Sequence, residues 1–418
     1  MNRSLLNKRK IINDPVFGFI SIQSDTVFDL IEHPYFQRLR RIKQLGLSYL
    51  VFPGANHTRF EHALGALHLM RQAIASLRLK SVEITDYEEE AAAIAILLHD
   101  IGHGPFSHVL ENTIVEISHE VISGILMSDL NIQFSGKLNL AIEIFNDQYQ
   151  KKFLHQLVSS QLDMDRLDYL SRDSFFTGVT EGMVGIDRII KMLNVRHDNL
   201  VVEAKGIYSV EKFLIARRLM YWQVYLHKTV VAAEYLLISI LKRARELCMK
   251  GERLFASPSL QLFLQSHISV EDFRNNLLIN GKSVLQYFAI LDDNDIISAI
   301  NQWQFHPDKI LSTLSEKILT RRLFRIEFSD EPFPVDELNT IRKKIEAYYE
   351  LEPGTANYFM ITGEISNNAY NKESESINIL LKDDKIVEIR EASDFNLSGL
   401  TKTVRKYFLC FPKELDIK

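Results

Sequence analysis

The chain has very little cysteine and no long apolar run. Only two of its 418 residues are cysteines, Cys248 and Cys410, and they lie far apart without a CxxC motif. This excludes a disulfide framework and a cysteine metal site, and it suits a reducing compartment. No apolar run approaches the roughly 18 residues needed to cross a bilayer, and no apolar signal segment follows the basic Met1–Lys10. We therefore expect a cytoplasmic protein with no membrane partner.

An excess of positive charge is also absent. Lysine and arginine number 49 against 54 acidic residues, which gives a formal net charge of −5. Nucleic acid is therefore not the favoured partner, because proteins that bind it usually carry a basic patch. A hydrophobic content of 46% and a charged content of 25% are typical of a globular protein. The length predicts about two to three domains.

Histidine, in contrast, is concentrated in one part of the chain. Seven of the 13 histidines lie between positions 57 and 119, namely His57, His62, His68, His99, His103, His108 and His119. Any one of them could be an ordinary core or surface residue. Such crowding instead predicts a joint role at a metal ion or an anionic ligand.

The clearest motif is the adjacent pair His99 and Asp100. The apolar run Ala91–Leu98 predicts a helix that delivers the pair to its C-terminal end, where Gly102 and Gly104 break it. A nitrogen and a carboxylate ligand side by side suit several divalent metals. Taken alone, the pair is explained more simply by a histidine that interacts with the helix dipole and a capping aspartate. The choice between a metal site and these structural roles depends on other segments of the chain.

A second stretch places carboxylates along one helical stripe. On a helix, Asp165, Asp168 and Asp173 lie close to one face. Such a stripe repels itself unless a cation binds there. The alternative is a set of i,i+4 salt bridges, since Arg166 and Arg172 are available. The residues alone favour neither explanation.

A run of cations, Arg38, Arg40, Arg41 and Lys43, lies on a predicted helix. Such a run is usually a solvated helix face. The alternative is an anion or nucleotide site at a subunit contact.

Apolar periodicity predicts a mainly α fold that ends in a small α+β unit. Residues 10–23 predict a hairpin, helical periodicity extends from about Thr26, and strand-like alternation begins near Leu323. In the last part we expect strands near 323–328, 358–362, 377–381 and 408–411, and helices at 335–349 and about 400–407. Asp292–Asp295 is expected to cap a helix rather than to bind a metal.

Four residues, His62, His99, Asp100 and Asp165, form an H…HD…D pattern that resembles the HD-domain metal phosphohydrolase superfamily. Further motifs in the same order are similar to those of the deoxynucleoside triphosphate triphosphohydrolases. That family includes sterile-alpha-motif/HD enzymes and bacterial relatives without the sterile-alpha-motif domain. The motifs are Asn13-Asp14-Pro15, Phe36-Gln37-Arg38-Leu39-Arg40, Ile42-Lys43-Gln44-Leu45-Gly46, Val51-Phe52-Pro53-Gly54-Ala55, Arg59-Phe60-Glu61-His62, His99 to His108 and Asp165-Arg166-Leu167-Asp168-Tyr169. The resemblance covers roughly residues 10–245 and weakens toward about 325.

The resemblance implies a helical HD-domain core with a divalent metal ion held by His62, His99, Asp100 and Asp165. Spacing alone does not separate Asp165 from its neighbour Asp163, and only the resemblance favours Asp165. Two imidazoles and two carboxylates leave open positions on an octahedral ion. The candidate ions are Mn, Mg, Fe, Ni and Zn.

The resemblance also implies which side chains carry the reaction. His103 and His119 would transfer protons, Glu111 stands where the family usually has Asp, and Arg59 would stabilise developing charge. The implied substrate-binding positions are Gln44, Leu45, Arg59, His103, His108, Arg166, Tyr169, Asp173, Arg217 and Tyr225.

A regulatory nucleotide site is implied at Glu32, Gln37 and Arg40, where GTP or a dNTP would bind at a subunit contact. We therefore expect a homo-oligomer, either a dimer or a tetramer. The expected domains are an HD-type metal phosphohydrolase core at 1–250 that includes the hairpin at 10–23, a helical extension at 251–322 and an α+β domain at 323–418.

Three hypotheses follow. The first is a metal-dependent enzyme that converts a dNTP and water into deoxynucleoside and triphosphate, with activation by a guanine nucleotide. The second is an HD phosphohydrolase for another nucleotide or phosphoester, because Tyr221 and Leu226 depart from the animal enzyme in the sugar and base pocket and Glu111 departs from the family's usual Asp. The third is a protein that binds nucleotide or single-stranded nucleic acid through the cations between Arg38 and Lys43. Intact triphosphate among the products would distinguish the first from the second.

Overall fold

The computed structural model describes residues 10–111, 113–367, 376–397 and 404–415 of the 418-residue chain. Helices make up most of the described residues, and the strands form small sheets of two to four members. The expected mainly α fold is therefore confirmed.

The chain begins with a hairpin and a series of helices. These elements are β1 (Lys10–Asp14), β2 (Gly18–Ile22), α1 (Asp25–Ile31), α2 (Pro34–Gln37), α3 (Arg59–Leu79), α4 (Asp86–Leu98), α5 (His108–Glu111) and α6 (His119–Gln133). Strands β1 and β2 pair antiparallel, which confirms the hairpin. The prediction that the cationic run lies on a helix is wrong, because α2 ends at Gln37, before the first of these cations. The chain forms a 3-10 turn at Arg38–Arg41 and then leaves the helix, because Lys43 forms a β-bridge with Thr58.

The middle of the chain is helical apart from one hairpin. Its elements are α7 (Asn139–Phe145), α8 (Lys152–Val158), α9 (Met164–Thr177), α10 (Ile186–Met192), β3 (Leu193–Arg196), β4 (Asn199–Glu203), α11 (Ile207–Met220) and α12 (Lys228–Met249). A π-helical turn at Tyr221–Tyr225 separates α11 from α12. The hairpin β3–β4 was not expected from the sequence.

The remainder begins with helices and ends with short strands. Its elements are α13 (Pro258–Gln265), α14 (Val270–Arg274), β5 (Leu278–Ile279), β6 (Lys282–Ser283), α15 (Val284–Phe288), α16 (Asp293–Trp303), α17 (Lys309–Leu319), β7 (Arg325–Ser329), α18 (Val335–Tyr349), β8 (Ile361–Asn367), β9 (Asn378–Leu380), β10 (Ile386–Glu388), α19 (Ile389–Ala392) and β11 (Val404–Phe411). Asp292 caps α16, as expected, by accepting the N–H of Asn294 at 2.9 Å.

Strand β11 corrects the short helix expected at about 400–407. Residues 404–407 are extended because β11 is the central strand between β7 and β8, and its last four residues are buried. Residues 400–403 lie outside the described part of the chain. A second sheet has the order β10-β9-β4-β3, in which β9 pairs parallel with β4 of the expected core. The three domain boundaries themselves stay predictions.

Helix α3 lies at the centre of the core and packs against α4 and α9. Thr58 and Glu61 form a capping box that starts this helix, so Arg59 and His62 lie in its first turn. Its buried side chains point in every direction around the helix, which is the pattern of a helix enclosed by protein.

A buried ion pair joins α9 to the N-terminal hairpin. Arg172 has no exposed side-chain surface, and it donates to Asp168 at 2.9 Å and to Asp14 at 2.8 Å. Gly65 of α3 faces this pair, and a Cβ there would lie 1.8 Å from Asp168 Oδ1 and 2.2 Å from Arg172 Nη2. The absence of a side chain at Gly65 therefore lets α3 and α9 approach over the ion pair.

No single helix in the described ranges has the length and apolar composition of a membrane span. The pair Ala204–Tyr225 and Lys228–Met249 meets these criteria jointly, but it is bent by 55°.

We predict that Gly65→Ala lowers the free energy of unfolding by about 2 kcal/mol or more. The added methyl must displace a partner of a buried ion pair, which costs about 3–5 kcal/mol, against a gain of about 1 kcal/mol in helix propensity. Urea unfolding followed by circular dichroism measures the change.

Gly124→Ala is the matched control, because no atom lies within 4 Å of a Cβ at that position in the middle of α6. It should gain about 0.5–1 kcal/mol. Equal stability of the two variants would contradict the role given to Gly65.

Candidate metal centre

Three helix ends bring the expected metal ligands together. His62 lies in the first turn of α3, His99 and Asp100 follow the last turn of α4, and Asp165 lies in the first turn of α9. His62 Nε2 is 3.1 Å from Asp165 Oδ1 and 3.7 Å from Asp100 Oδ2. His99 Nε2 is 3.5 Å from Asp165 Oδ1 and 3.4 Å from Asp100 Oδ1. All four side chains thus converge on one point.

The hydrogen bonds of the two imidazoles show that this point suits a metal ion. His62 Nδ1 contacts Asp168 Oδ2 at 2.7 Å, and His99 Nδ1 contacts the carbonyl oxygen of Ile96 at 2.6 Å. These acceptors keep a proton on Nδ1 and turn Nε2 toward the carboxylates, so that Nε2 is the atom that would bind a metal once its proton is lost. Both Nε2 atoms are buried and have no hydrogen-bond partner among the described residues. Two buried lone pairs beside two carboxylates fit a divalent cation.

The charges at the centre also favour a cation. Burial alone would lower the pKa of His62, but the carboxylates of Asp165 and Asp168 outweigh it and raise the pKa to about 10. Burial alone would raise the pKa of Asp100, but His99, His103 and Arg59 hold it well below its usual range. The carboxylates are thus ionised at neutral pH, and a metal ion can replace the protons that they attract to the imidazoles.

Asp163, the alternative to Asp165, has a different role. Its carboxylate caps α9 by accepting the N–H of Arg166 at 2.7 Å, and it accepts the N–H of Ser160 at 2.7 Å. It also pairs with the guanidinium of Arg166. Asp163 is therefore occupied by its own helix terminus, whereas Asp165 faces the imidazoles.

The stripe of carboxylates on α9 contains the i,i+4 salt bridge that the sequence offered as one explanation. Asp168 forms this pair with Arg172, whereas Asp165 faces the imidazoles of His62 and His99. The orienting role of Asp168 toward His62 was missed, although Asp168 lies three residues after Asp165 and on the same face.

A histidine pair lies beside the metal ligands. The rings of His103 and His119 stack at 3.6 Å between centroids, and His119 Nδ1 is 2.8 Å from Glu111 Oε1. Glu111 thus reaches His119 despite being longer than the aspartate usual in the family. His103 Nε2 is 3.3 Å from Asp100 Oδ1, and Asp100, His103 and His119 form a second group with metal-ligand spacing. Burial, with Arg59 beside it, holds the pKa of His103 well below its usual value, so that imidazole is neutral.

Arg59 lies at the same centre. Its guanidinium pairs with Asp100 and donates to Ser107 Oγ at 2.7 Å. A cation is therefore held next to the carboxylate of Asp100, as expected for a group that stabilises phosphate charge.

The turn after Asp100 fits tightly against α6. A Cβ at Gly102 would lie 2.2 Å from the carbonyl oxygen of His119 and 2.4 Å from the nitrogen of Ser123. Ser123 Oγ also accepts the N–H of Gly102 at 2.9 Å and donates to the carbonyl oxygen of His99 at 2.7 Å. Glycine at this position therefore lets the ligands and the histidine pair share one site.

The cationic run is not a free surface. Arg38 is only 1% exposed, and its guanidinium donates to the carbonyl oxygens of Ile101, His103 and Leu291. The other three cations have partners as well: Arg41 pairs with Asp292, Arg40 lies 3.5 Å over the Phe60 ring, and Lys43 lies 3.7 Å over the Tyr49 ring. The solvated face expected from the sequence is wrong for Arg38, because backbone carbonyl oxygens of the turn after Asp100 and of Leu291 surround its guanidinium and accept its N–H groups.

A cavity of about 830 Å³ opens from the metal centre along α6. At the centre it is lined by His99, Asp100, His119, Asp165 and Arg166. Farther along, α6 contributes Val121, Gly124, Ile125 and Ile132, which face Phe145 and Val158, and Arg274 lies at the rim. The volume lies in the range of small-molecule sites.

Several expected substrate contacts do not line this cavity. Asp173 is 1% exposed and accepts hydrogen bonds from His57 at 2.7 Å and from the Tyr225 hydroxyl at 2.8 Å. The Tyr169 ring lies 6.1 Å from the Tyr225 ring, and Arg217 donates to Gln161 at 3.1 Å.

Two more expected contacts, Gln44 and Leu45, precede the α3 cap, and the side-chain oxygen of Gln44 is buried without a hydrogen-bond partner among the described residues. The side chain of His108 lies outside the described residues.

The expected regulatory residues lie near one another on the surface. Gln37 donates to the carbonyl oxygen of Ile31 at 2.7 Å and accepts from Arg40 at 2.9 Å. Glu32 follows α1 and is 3.9 Å from Lys10.

Several known proteins are similar to this chain in fold or in sequence. Residues 59–173 match the HD domain family, whose members are metal-dependent, and residues 184–260 match the family described as HD associated region. The crystal structure of phosphohydrolase BT4208 from Bacteroides thetaiotaomicron is 56% identical, with a TM-score of 0.93 over 97% of this chain and 100% of that chain. The uncharacterized protein YwfO of Bacillus subtilis is 33% identical over 98% of this chain and 94% of that protein. The deoxynucleoside triphosphate triphosphohydrolase SAMHD1 homolog of Dictyostelium discoideum is 30% identical, but the match spans 59% of this chain and 51% of that protein.

We predict that Asp165→Asn weakens Mn²⁺ binding by more than the ~10- to 100-fold typical of a lost orienting contact, because a charged ligand is removed. Asp163→Asn is the control, because it neutralises a neighbouring carboxylate whose contacts are with its own helix terminus and with Arg166 rather than with the imidazoles. Isothermal titration of metal-free protein with Mn²⁺ measures both affinities. Equal losses in the two variants would mean that Asp165 is not a ligand.

Proposed function

The chain belongs to the HD-domain family, which includes proteins named deoxynucleoside triphosphate triphosphohydrolases, and we propose that it hydrolyses dNTPs to deoxynucleoside and triphosphate with a divalent metal ion. The observation that carries the proposal is the pair of buried Nε2 lone pairs, on His62 and His99, beside two ionised carboxylates at the end of an open cavity.

His62, His99, Asp100 and Asp165 would hold the ion. A divalent ion bound there would polarise a phosphate oxygen and lower the pKa of a coordinated water. The side chains around it supply the other requirements of phosphoester hydrolysis. Arg59 and Arg166 offer positive charge to a polyphosphate at two sides of the centre, and guanidinium groups suit its oxygen pairs.

Proton transfer is assigned to His119 and His103. Glu111 holds the Nδ1 atom of His119, so Nε2 is turned away from the carboxylate and can accept or donate a proton at the reacting phosphate. The neutral imidazole of His103, stacked on His119, can share that task.

A nucleotide substrate is supported by the relatives and by the implied contacts. The SAMHD1 homolog carries a dNTP triphosphohydrolase name. The proposal includes a guanine nucleotide bound at Glu32, Gln37 and Arg40 and a homo-oligomer that forms around it, as the resemblance implies. Gln44, Leu45, Tyr169, Asp173, Arg217 and Tyr225 remain the proposed sugar, base and phosphate contacts.

The test is a product assay with Mn²⁺ or Mg²⁺ and each dNTP, with and without GTP, resolved by ion-exchange chromatography. We expect deoxynucleoside and intact triphosphate in equal amounts, and none from Asp100→Ala. Release of phosphate or pyrophosphate would instead support an HD phosphohydrolase with another substrate. Faster turnover with GTP would support the regulatory site.

A second prediction concerns the cavity along α6. Gly124→Leu should lower kcat/KM for the dNTP by about 10-fold or more, because its side chain fills the passage to the metal centre and no atom lies within 4 Å of its Cβ. Mn²⁺ affinity should not change.

Gly185→Leu is the control, since Gly185 also has open space around its Cβ and does not line this cavity. Steady-state kinetics of the three proteins compare the effects. Unchanged kinetics in Gly124→Leu would mean that substrate does not pass along α6.

A further inference from the structure

The start of α16 contacts two loops beside the proposed catalytic side chains, one at Lys43 and one at Phe106. Asp292 caps the helix through its own side chain, but the carboxylate of Asp293 turns away from the helix. Asp293 Oδ2 accepts the N–H of Lys43 at 2.9 Å, and Asp293 Oδ1 accepts the N–H of Phe106 at 3.1 Å. One buried carboxylate, 6% exposed, therefore joins two segments that are distant in sequence.

The first of these segments sets the start of α3. Lys43 forms a β-bridge with Thr58, the N-cap residue, and the carbonyl oxygen of Ile42 accepts the N–H of Arg59 at 3.0 Å. Asp293 thus holds the strand that positions the first turn of α3, where Arg59 and His62 lie.

The second segment is a strained turn. Phe106 and Ser107 have φ values of +50° and +42°, which non-glycine residues rarely adopt. The hydroxyl of Ser107 accepts two hydrogen bonds from Arg59, whose guanidinium pairs with Asp100. Holding the N–H of Phe106 helps to keep this turn in place, so that Ser107 can orient Arg59 toward the metal-ligating carboxylate.

Leu291 adds a third contact from the same helix start. Its carbonyl oxygen accepts from Arg38, which also donates to Ile101 and His103 on the turn after Asp100. Residues 291–293 therefore contact Arg38, Lys43 and Phe106, which in turn hold the start of α3 and the turn after Asp100.

We propose that Asp293 is a positioning residue for the metal centre, which fixes the two loops so that Arg59 pairs with Asp100 at the inner end of the cavity. This role rests on the proposed function for its effect on turnover, but its structural effect can be measured independently. It extends the active site beyond the matched HD domain, 59–173, and the HD associated region, 184–260, into the helical extension.

An ionised carboxylate suits these contacts better than an amide. Two backbone N–H groups approach the two oxygens of Asp293, and an asparagine would present an NH₂ group to one of them. Burial, the largest influence, raises the pKa of Asp293 to about 6, so the group is ionised at neutral pH. Asp293→Asn therefore loses one acceptor with little change in shape.

The test compares Asp293→Asn and Asp293→Ala with Asp295→Ala. Asp295 also lies in the first turn of α16, where it accepts the N–H of Asp292, but it contacts neither loop. All three variants remove one negative charge from the same helix start. Only the Asp293 variants remove the contacts to Lys43 and Phe106.

Two measurements keep the inference separate from the proposed function. The first is hydrogen–deuterium exchange by mass spectrometry in peptides that cover residues 42–46 and 104–110. The second is kcat for the dNTP with Mn²⁺. We expect faster exchange in both peptides and a kcat about 10-fold lower or more in the Asp293 variants, because a displacement of about 1 Å can cost on the order of 100-fold. Asp295→Ala should change neither.

Each outcome decides a separate question. Unchanged exchange in the Asp293 variants, or equal exchange in Asp295→Ala, overturns the positioning role. Faster exchange with unchanged kcat would mean that Asp293 holds the two loops together but that turnover does not depend on this contact. Absence of dNTP hydrolysis in the wild-type protein contradicts the proposed function, while the exchange data still test the contacts of Asp293.

Discussion

The candidate metal centre depends on the ion pairs that the buried guanidinium of Arg172 forms. This guanidinium binds Asp14 of the hairpin and Asp168 of α9, and Asp168 in turn binds Nδ1 of His62. Removing charged groups from water is costly, and only complete pairing offsets that cost. Because this series of contacts ends on the imidazole of His62, a proposed metal ligand, the same pairing that stabilises the fold also sets the tautomer and direction of that ring. Fold stability and ligand geometry are therefore coupled through one polar network.

The cavity and the expected sugar and base contacts differ in how open they are. The cavity along α6 is open, whereas farther along α9 the carboxylate of Asp173 is occupied by His57 and by the Tyr225 hydroxyl. Tyr225 lies in the π-helical turn between α11 and α12, and such turns are frequent at functional sites. A ligand that bound Asp173 would have to replace one of these hydrogen bonds. The sugar and base contacts implied for Tyr169, Asp173 and Tyr225 therefore require a rearrangement of this turn.

Local sequence signals predict the ligand set better than the contacts that orient it. The glycines after Asp100 and the capping residues before His62 act within a few positions, so the helix ends that carry the ligands can be inferred from the chain. The orienting contacts join residues that are far apart, such as His62 with Asp168 and Arg38 with Leu291. No local pattern encodes them. The short strands were missed or misplaced for a related reason, because β11 and β4 are defined by partners distant in sequence.

The cationic run shows how this limit affects a functional interpretation. In the sequence, Arg38 and its neighbours form a basic segment that a polyanion could bind. In the structure, Arg38 is enclosed by carbonyl oxygens, and burial lowers its pKa to about 9, which leaves it protonated at neutral pH. Its charge thus stabilises the turn after Asp100 rather than a ligand. The guanidinium groups nearest the proposed metal ligands are instead those of Arg166, which lines the cavity, and Arg59, which pairs with Asp100, so the positive charge available to the proposed polyphosphate substrate lies there.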